Sequence, residues 1–515
     1  MRFFVAFFLF FTSSISGAQV LQILHSNDIH SFWERSFDRE LGGMARMKSL
    51  MDRLESEGNS KGWVTIRLDS GDFSDGNLNY FAGRGMYSFQ LMKLMGYDVI
   101  ALGNHDFVTG VEPLVWHASK PEEALPLVAA NFESDRHTNV EPGRIIYRGG
   151  LKIAVGGVTT DETLYKWLAL PAKITDPQEA LDQWMSEQHA DIRIALTHVG
   201  LYPDEEIVRR TGNIDVVVGG HSHHTLQTPH FVLNKDNKIV PVVQAGYHGR
   251  YVGQMVIQLP VGGTAQVIKY KLHPVTSDLP EDPVVKEKID EGVRNLKARF
   301  GQNIDNPIAE SQDIFYSSRS QNSALGNLIA DTMLEASGAD VSFDFSNLYG
   351  VGLPKGNLTI EDIFNLQPHT YDINGPGWQI YVANVTGAAL KKVVSIASWS
   401  GYPFFVGGLV AELSKFRHIK KMTIKGIPVD EKRTYKVATS EGAISGVSHI
   451  PLLKQQLPPP YISTGILIRD ALLSKVVALK VLKKSSLHGL RVRWPGSEKP
   501  LNNAMCGECN DGPPE

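Results

Sequence analysis

Short apolar, β-branched runs that end on glycine or on a side chain able to bind metal constrain this sequence more than any other feature. They fall at 21–24, 64–68, 99–102, 153–155, 192–196 and 216–218, and Gly, Asp, His or Asn follows them. Runs of this length without a polar face read as strands buried on both sides. Amphipathic stretches at 43–54 and 86–95 lie between them. The first part of the chain is therefore expected to be α/β, with helices covering a mostly β centre.

At 515 residues the chain is too long for one core, since cores stop growing at roughly 250–300 residues. A second α/β domain is expected from about residue 304, opening with a helix near 323–336. The stretch 282–300 supplies a connecting helix, with Val285, Ile289, Val293, Leu296 and Phe300 on one face. The expected boundaries are 19–277, 278–303 and 304–497, followed by a polar tail at 498–515 that carries Cys506 and Cys509. A lone CxxC in a polar tail lacks the further ligands of a zinc site and the strand-to-helix setting of a redox motif. It reads as a small disulfide loop at most.

Arg2, the apolar run 3–11, the small polar residues after it and Ala18 together read as a cleaved leader at 1–18. A secreted or periplasmic protein without a stable membrane anchor is expected. Its 42% hydrophobic and 21% charged residues and formal charge of −4 are those of a soluble globular protein, and no nucleic-acid polymer is expected as partner.

The histidines and acids cluster just beyond the runs. Asp28 and His30 follow the first, Asp69 and Asp72 the second, Asn104, His105 and Asp106 the third, His198 the fifth, and His221 and His223 the sixth. Open α/β sheets bind ligands beyond the carboxyl ends of their strands, so these loops are expected to converge. Imidazole mixed with oxygen donors, without thiolate, suits Zn, Mn or Fe. The set is large enough for two divalent ions. Asp28, His30 and His223 are expected around one, Asn104, His198 and His221 around the other, and Asp72 between them. Two ions about 3.5–4 Å apart clamp the oxygens of an in-line displacement at phosphorus. His105 is left to protonate a leaving group, Asp106 to orient it, and Asp69 to aim a ligand from behind.

These residues resemble the calcineurin-like metallophosphoesterases, and among them the exported 5′-nucleotidase and UDP-sugar hydrolase family. Asn27-Asp28-Ile29-His30, Asp69-Ser70-Gly71-Asp72, Gly103-Asn104-His105-Asp106 and Gly220-His221-Ser222-His223 carry the resemblance. It implies a four-layered metallophosphatase domain joined by a helix to a smaller substrate domain, acting on a small phosphorylated molecule. In the second domain it rests on 325–331, 356–359 and 435–439, and it implies substrate contacts at Arg319 and Phe405. The family's second substrate arginine has no counterpart in 346–350, nor its second stacking ring in 440–448. Two other readings therefore stand beside a nucleotide phosphoesterase: a hydrolase of a cyclic nucleotide or sulfur-containing anion, and a ligand-binding protein with a repurposed second domain.

Overall fold

The computed structural model describes residues 19–260, 265–316, 322–367, 377–400, 403–444, 460–487, 489–493 and 495. The expected leader, Arg319 and the CxxC tail lie outside them. Among the described residues no helix is long and apolar enough to cross a membrane.

Two sheets face each other in the first domain. In the 7-stranded sheet, Gln19–Ser26 lies parallel to Val64–Asp69, which is parallel to Val99–Ala101, while Tyr251–Leu259 and Gln266–Pro274 extend the other edge antiparallel. In the 6-stranded sheet, Ile192–His198 lies parallel to both Leu151–Thr159 and Val216–Gly219. Alternation sends side chains to both faces of each strand. Leu21, Ile23, Ile66 and Leu68 meet Ile153, Ile194, Leu196 and Val218 between the sheets. Leu24, Ile100 and Leu102 face the opposite way, against helices Met44–Asn59 and Met86–Met95. The second sheet is covered on its outer side by Pro177–Ser186 and Leu201–Arg210. The result is four layers, helix, sheet, sheet, helix. With each fully buried aliphatic side chain contributing roughly 1.5–3 kcal/mol, the inter-sheet core fixes the strand register.

Pro283–Phe300 starts where Asp282 accepts hydrogen bonds from the backbone of Val284 and Val285, and ends at Gly301. Its buried stripe of Val285, Ile289 and Leu296 joins the core of the first domain. A Cβ on Gly292 would sit 2.5 Å from the Trp33 ring, so this glycine allows the helix to lie close. The helix is thus part of the first domain's outer layer as well as the link to the second.

In the second domain a 5-stranded sheet runs Phe404–Gly407, Val341–Phe345, Thr434–Ser440, Gln379–Thr386, Ile462–Leu467. Helix Ala324–Ser337, capped by the Ser323 hydroxyl and stopped at Gly338, covers one face. The domains meet closely. Arg39 donates to the Asn357 carbonyl and to Asp362, both at 2.6 Å, the Leu78 backbone donates to Asn365, and Phe37 and Tyr316 pack edge to face.

Candidate active site

Every predicted cluster of the first domain leaves the carboxyl end of a parallel strand, and the tight turns there are strained. Asp28, His30, Asp72, His221 and His223 all have φ between 52° and 72°. Asp and His tolerate this region better than most residues, yet each such position costs of order 1–3 kcal/mol. Their neighbours must be small. A Cβ on Gly103 would lie 2.1 Å from the Asp72 nitrogen, so only glycine lets the third loop press against the second.

The loops bring the predicted donors together. Asp28, His30 and His223 form one group whose ligand atoms lie within 4.8 Å of one another, and Asp72, His198 and His221 form another. His30 Nε2 is 3.1 Å from His223 Nε2, and His223 Nε2 is 3.3 Å from Asp28 Oδ1. His198 Nε2 is 3.0 Å from Asp72 Oδ2, and Asn104 Oδ1 is 2.8 Å from His221 Nδ1. Asp72 lies between the groups, its Oδ2 also 3.8 Å from His30 Nε2.

Backbone carbonyls set the imidazole tautomers. His30 Nδ1 donates to the Asp75 carbonyl at 2.7 Å and His198 Nδ1 to the Ser70 carbonyl at 2.6 Å, which leaves each Nε2 facing the site. His198 Nε2, fully buried, has no hydrogen-bond partner of good geometry. Burial lowers the affinity of His105 and His198 for a proton. The charge of Asp72 outweighs it, pushing them up to about 9 and about 10. For Asp72 itself burial works upward, but the imidazoles of His198, His105 and His30 prevail and hold it well below the usual carboxylate range. The pocket demands positive charge. Donor atoms gathered this closely, and this charge demand, fit divalent cations. Asp28, His30 and His223 would hold one, and Asn104, His198 and His221 a second, with Asp72 between.

Three expectations need correction here. Asp106 does not touch the His105 ring: its carboxylate accepts the backbone N–H groups of Asp72, Phe73, Ser74 and Gly103 at 2.9–3.1 Å. It ties two loops together. The partner of His105 Nδ1 is Asp75 Oδ2, at 3.0 Å, a residue the motif reading passed over. Phe405 is the second correction. It is 2% exposed and packs on Gly326 and Tyr349 in the core, so it offers no face to a ligand. Asp69 accepts from the Ser26 hydroxyl and the Gly71 backbone, and so shapes the loop rather than a ligand's ring.

The structure adds residues that no motif marked. Tyr165 has its ring centroid 6.5 Å from that of His105 and 6.3 Å from that of His221, and Glu162 lies 3.2 Å from His221 Nε2. Tyr247 stacks on His223, and His248 packs on Phe32 beside His30. Only the strand-like run before Tyr247 and His248 signalled that they line the site.

Comparison with known proteins places the chain in a family. Residues 21–225 match the calcineurin-like phosphoesterase family, and residues 305–455 match the 5′-nucleotidase C-terminal domain family. Over 424 residues the chain is 26% identical to the trifunctional nucleotide phosphoesterase protein YfkN of Bacillus subtilis, covering 73% of this chain but 27% of that longer protein. It is 24% identical to protein UshA of Yersinia enterocolitica, covering 88% of this chain and 90% of the relative. A 5′-nucleotidase precursor from Thermus thermophilus shares the fold, with a TM-score of 0.77 at 24% identity over 92% of this chain and 99% of that one. The chain belongs to the calcineurin-like phosphoesterases that carry a 5′-nucleotidase C-terminal domain, and it is a metal-dependent phosphoesterase.

Proposed function

We propose that this protein hydrolyses phosphate esters or anhydrides of nucleotides or their derivatives, with two divalent ions of zinc, manganese or iron, outside the cytoplasm. The observation that carries the reading is the pair of donor groups flanking Asp72, with His105 beside them. Bound cations supply Lewis acidity toward the phosphoryl oxygens and make water a better nucleophile. The protein supplies the rest. Asp72 and Asp28 balance the cations' charge, the Ser70 and Asp75 carbonyls hold ligand rings in the neutral tautomer, and His105 holds a proton for the departing oxygen.

Phosphate release from nucleoside monophosphates with Mn or Zn tests this. Asp72→Ala should lose metal and turnover together, and His105→Ala should lose about 10²–10⁴ in rate with metal retained. Equal rates in wild type and both variants overturn it. The burial of Phe405 favours a second reading, in which another anion, such as a cyclic nucleotide or a sulfur-containing group, replaces the usual nucleotide. A panel in which every phosphate monoester fails while metal binds tightly selects that reading.

A further inference from the structure

Of the apolar runs in the first domain, the one at 153–155 leads into a loop with no metal donor. Its strand, Leu151–Thr159, lies parallel to Ile192–His198 with Thr159 level with His198, so the strand's end opens on the same pocket. What it delivers there is Glu162 and Tyr165.

This segment is anchored to the site and to the core. Glu162 lies 3.2 Å from His221 Nε2, on the far side of the ring from the Nδ1 that faces Asn104. The backbone N–H groups of Tyr165 and Lys166 donate to the Glu162 carbonyl, both at 3.0 Å, at the start of helix Thr163–Leu168, and the Ala169 N–H donates to the Tyr165 carbonyl at 2.9 Å. The Tyr165 side chain is half-buried and packs on the first domain's core. That packing holds its ring beside both His105 and His221, with centroids 6.5 and 6.3 Å away and planes inclined at 50° and 85°. Neither imidazole is stacked on it.

We propose that Tyr165 is a specificity-determining residue: the nucleoside of the leaving group packs on its ring, so that nucleotides are preferred to phosphate esters of small alcohols. The inference deepens the phosphoesterase reading above and rests on it. With the phosphoryl group among the donors around Asp72 and the departing oxygen at His105, whatever is bonded to that oxygen extends past His105, where Tyr165 stands. Phe405, closed inside the second domain's core, offers no such face. Every base has a flat π surface, so an aromatic ring selects nucleosides as a class without choosing among bases. Tyr165 belongs to neither donor group, and its effect is on substrate binding alone.

Wild type, Tyr165→Ala and Tyr165→Phe are compared on adenosine 5′-monophosphate and on glycerol phosphate, with bound metal measured in each protein. Stacking of a base on an aromatic ring is lost on alanine substitution at a cost of about 10- to 100-fold in affinity. Tyr165→Ala should therefore lose about that factor in kcat/KM on the nucleotide, chiefly through KM. Glycerol phosphate turnover and metal content should be unchanged, and Tyr165→Phe should behave as wild type. Calorimetric titration with adenosine, which involves no turnover, should show the same loss of affinity in Tyr165→Ala. Equal losses on both esters would make the ring a support of the pocket and overturn the proposal. Unchanged adenosine binding, or a wild type with no preference for the nucleotide, would overturn it too. If Tyr165→Ala does not fold, the comparison is read in Tyr165→Leu, which fills the space without a flat face. A metal-loaded wild type inert to both esters would instead refute the phosphoesterase reading itself.

Discussion

Exchanging Asp106 for asparagine alters one atom and separates a structural acid from a catalytic one. In the native loops Oδ1 accepts the N–H groups of Phe73 and Ser74, and Oδ2 those of Asp72 and Gly103. Asparagine keeps one oxygen and turns an NH₂ group toward the other two donors. Each buried N–H left without an acceptor costs about 1–3 kcal/mol, so the exchange should destabilise the first domain by about 2–6 kcal/mol. That is a large share of the 5–15 kcal/mol typical of a folded protein. Because the freed donors include the Asp72 nitrogen, metal affinity should fall as well. Urea unfolding of metal-loaded and metal-stripped protein, with a metal titration, measures both effects. Turnover at saturating metal should survive in the fraction that remains folded. A stability change under about 0.5 kcal/mol, together with turnover down about a hundredfold at full metal loading, would refute the reasoning and return Asp106 to the chemistry.

Chelation should lower the melting temperature, because cations that bind only the folded state add about 2.7 kcal/mol per site at a hundredfold excess over Kd. A midpoint unmoved by EDTA would contradict the cation sites. His25 is fully buried in the first strand, and burial depresses it to about 3. It therefore stays neutral in the fold while the unfolded chain takes up a proton below pH 6.5. Its contribution is whole above pH 6.5 and is lost as pH falls toward 3, at up to about 1.4 kcal/mol per pH unit. His25→Leu should flatten the acid limb of the stability curve by that slope, and an unchanged limb would refute the assignment. Arg39→Ala removes the charge-assisted bonds to Asn357 and Asp362 across the domain interface. It should weaken that interface by about 1–3 kcal/mol and expand the solution scattering profile. An identical profile would show that the pair does not hold the domains together.

Much of the first domain was legible because its strands are buried on both faces, so an apolar run alone marks them. The metal donors were legible for a related reason: each sits at the end of a strand or within a few residues after it, and the topology carries those ends to one place. Pairing between loops was not. His105 and Asp75 are 30 positions apart, whereas Asp106 is the next residue along. In the Asn104–Asp106 turn, however, consecutive side chains diverge, and Asp106 points back at the Asp72 loop. Phe405 misled for a different reason. It shares a strand with Phe404, and helix Ala324–Ser337 covers its face while a second core takes Phe404 on the other, so neither ring reaches the surface.

The acids of the second and third loops show why residue type could not settle roles that geometry does. Burial pushes Asp69 well above the usual carboxylate range, and the charges of Asp106 and Asp28 add to it, so this acid retains a proton more readily than its neighbours. Asp72, equally buried, is held far below that range by His198, His105 and His30, and stays an anion fit to sit between cations. Burial and the charge of Asp72 raise Asp106 to about 7, against the pull of the N–H groups it accepts. Asp75 faces an imidazole N–H. A residue that must remain negative is thus surrounded by histidines, and one that ties loops together is surrounded by backbone donors. The side chain left with a single imidazole to accept from, Asp75, holds the His105 ring instead of a loop.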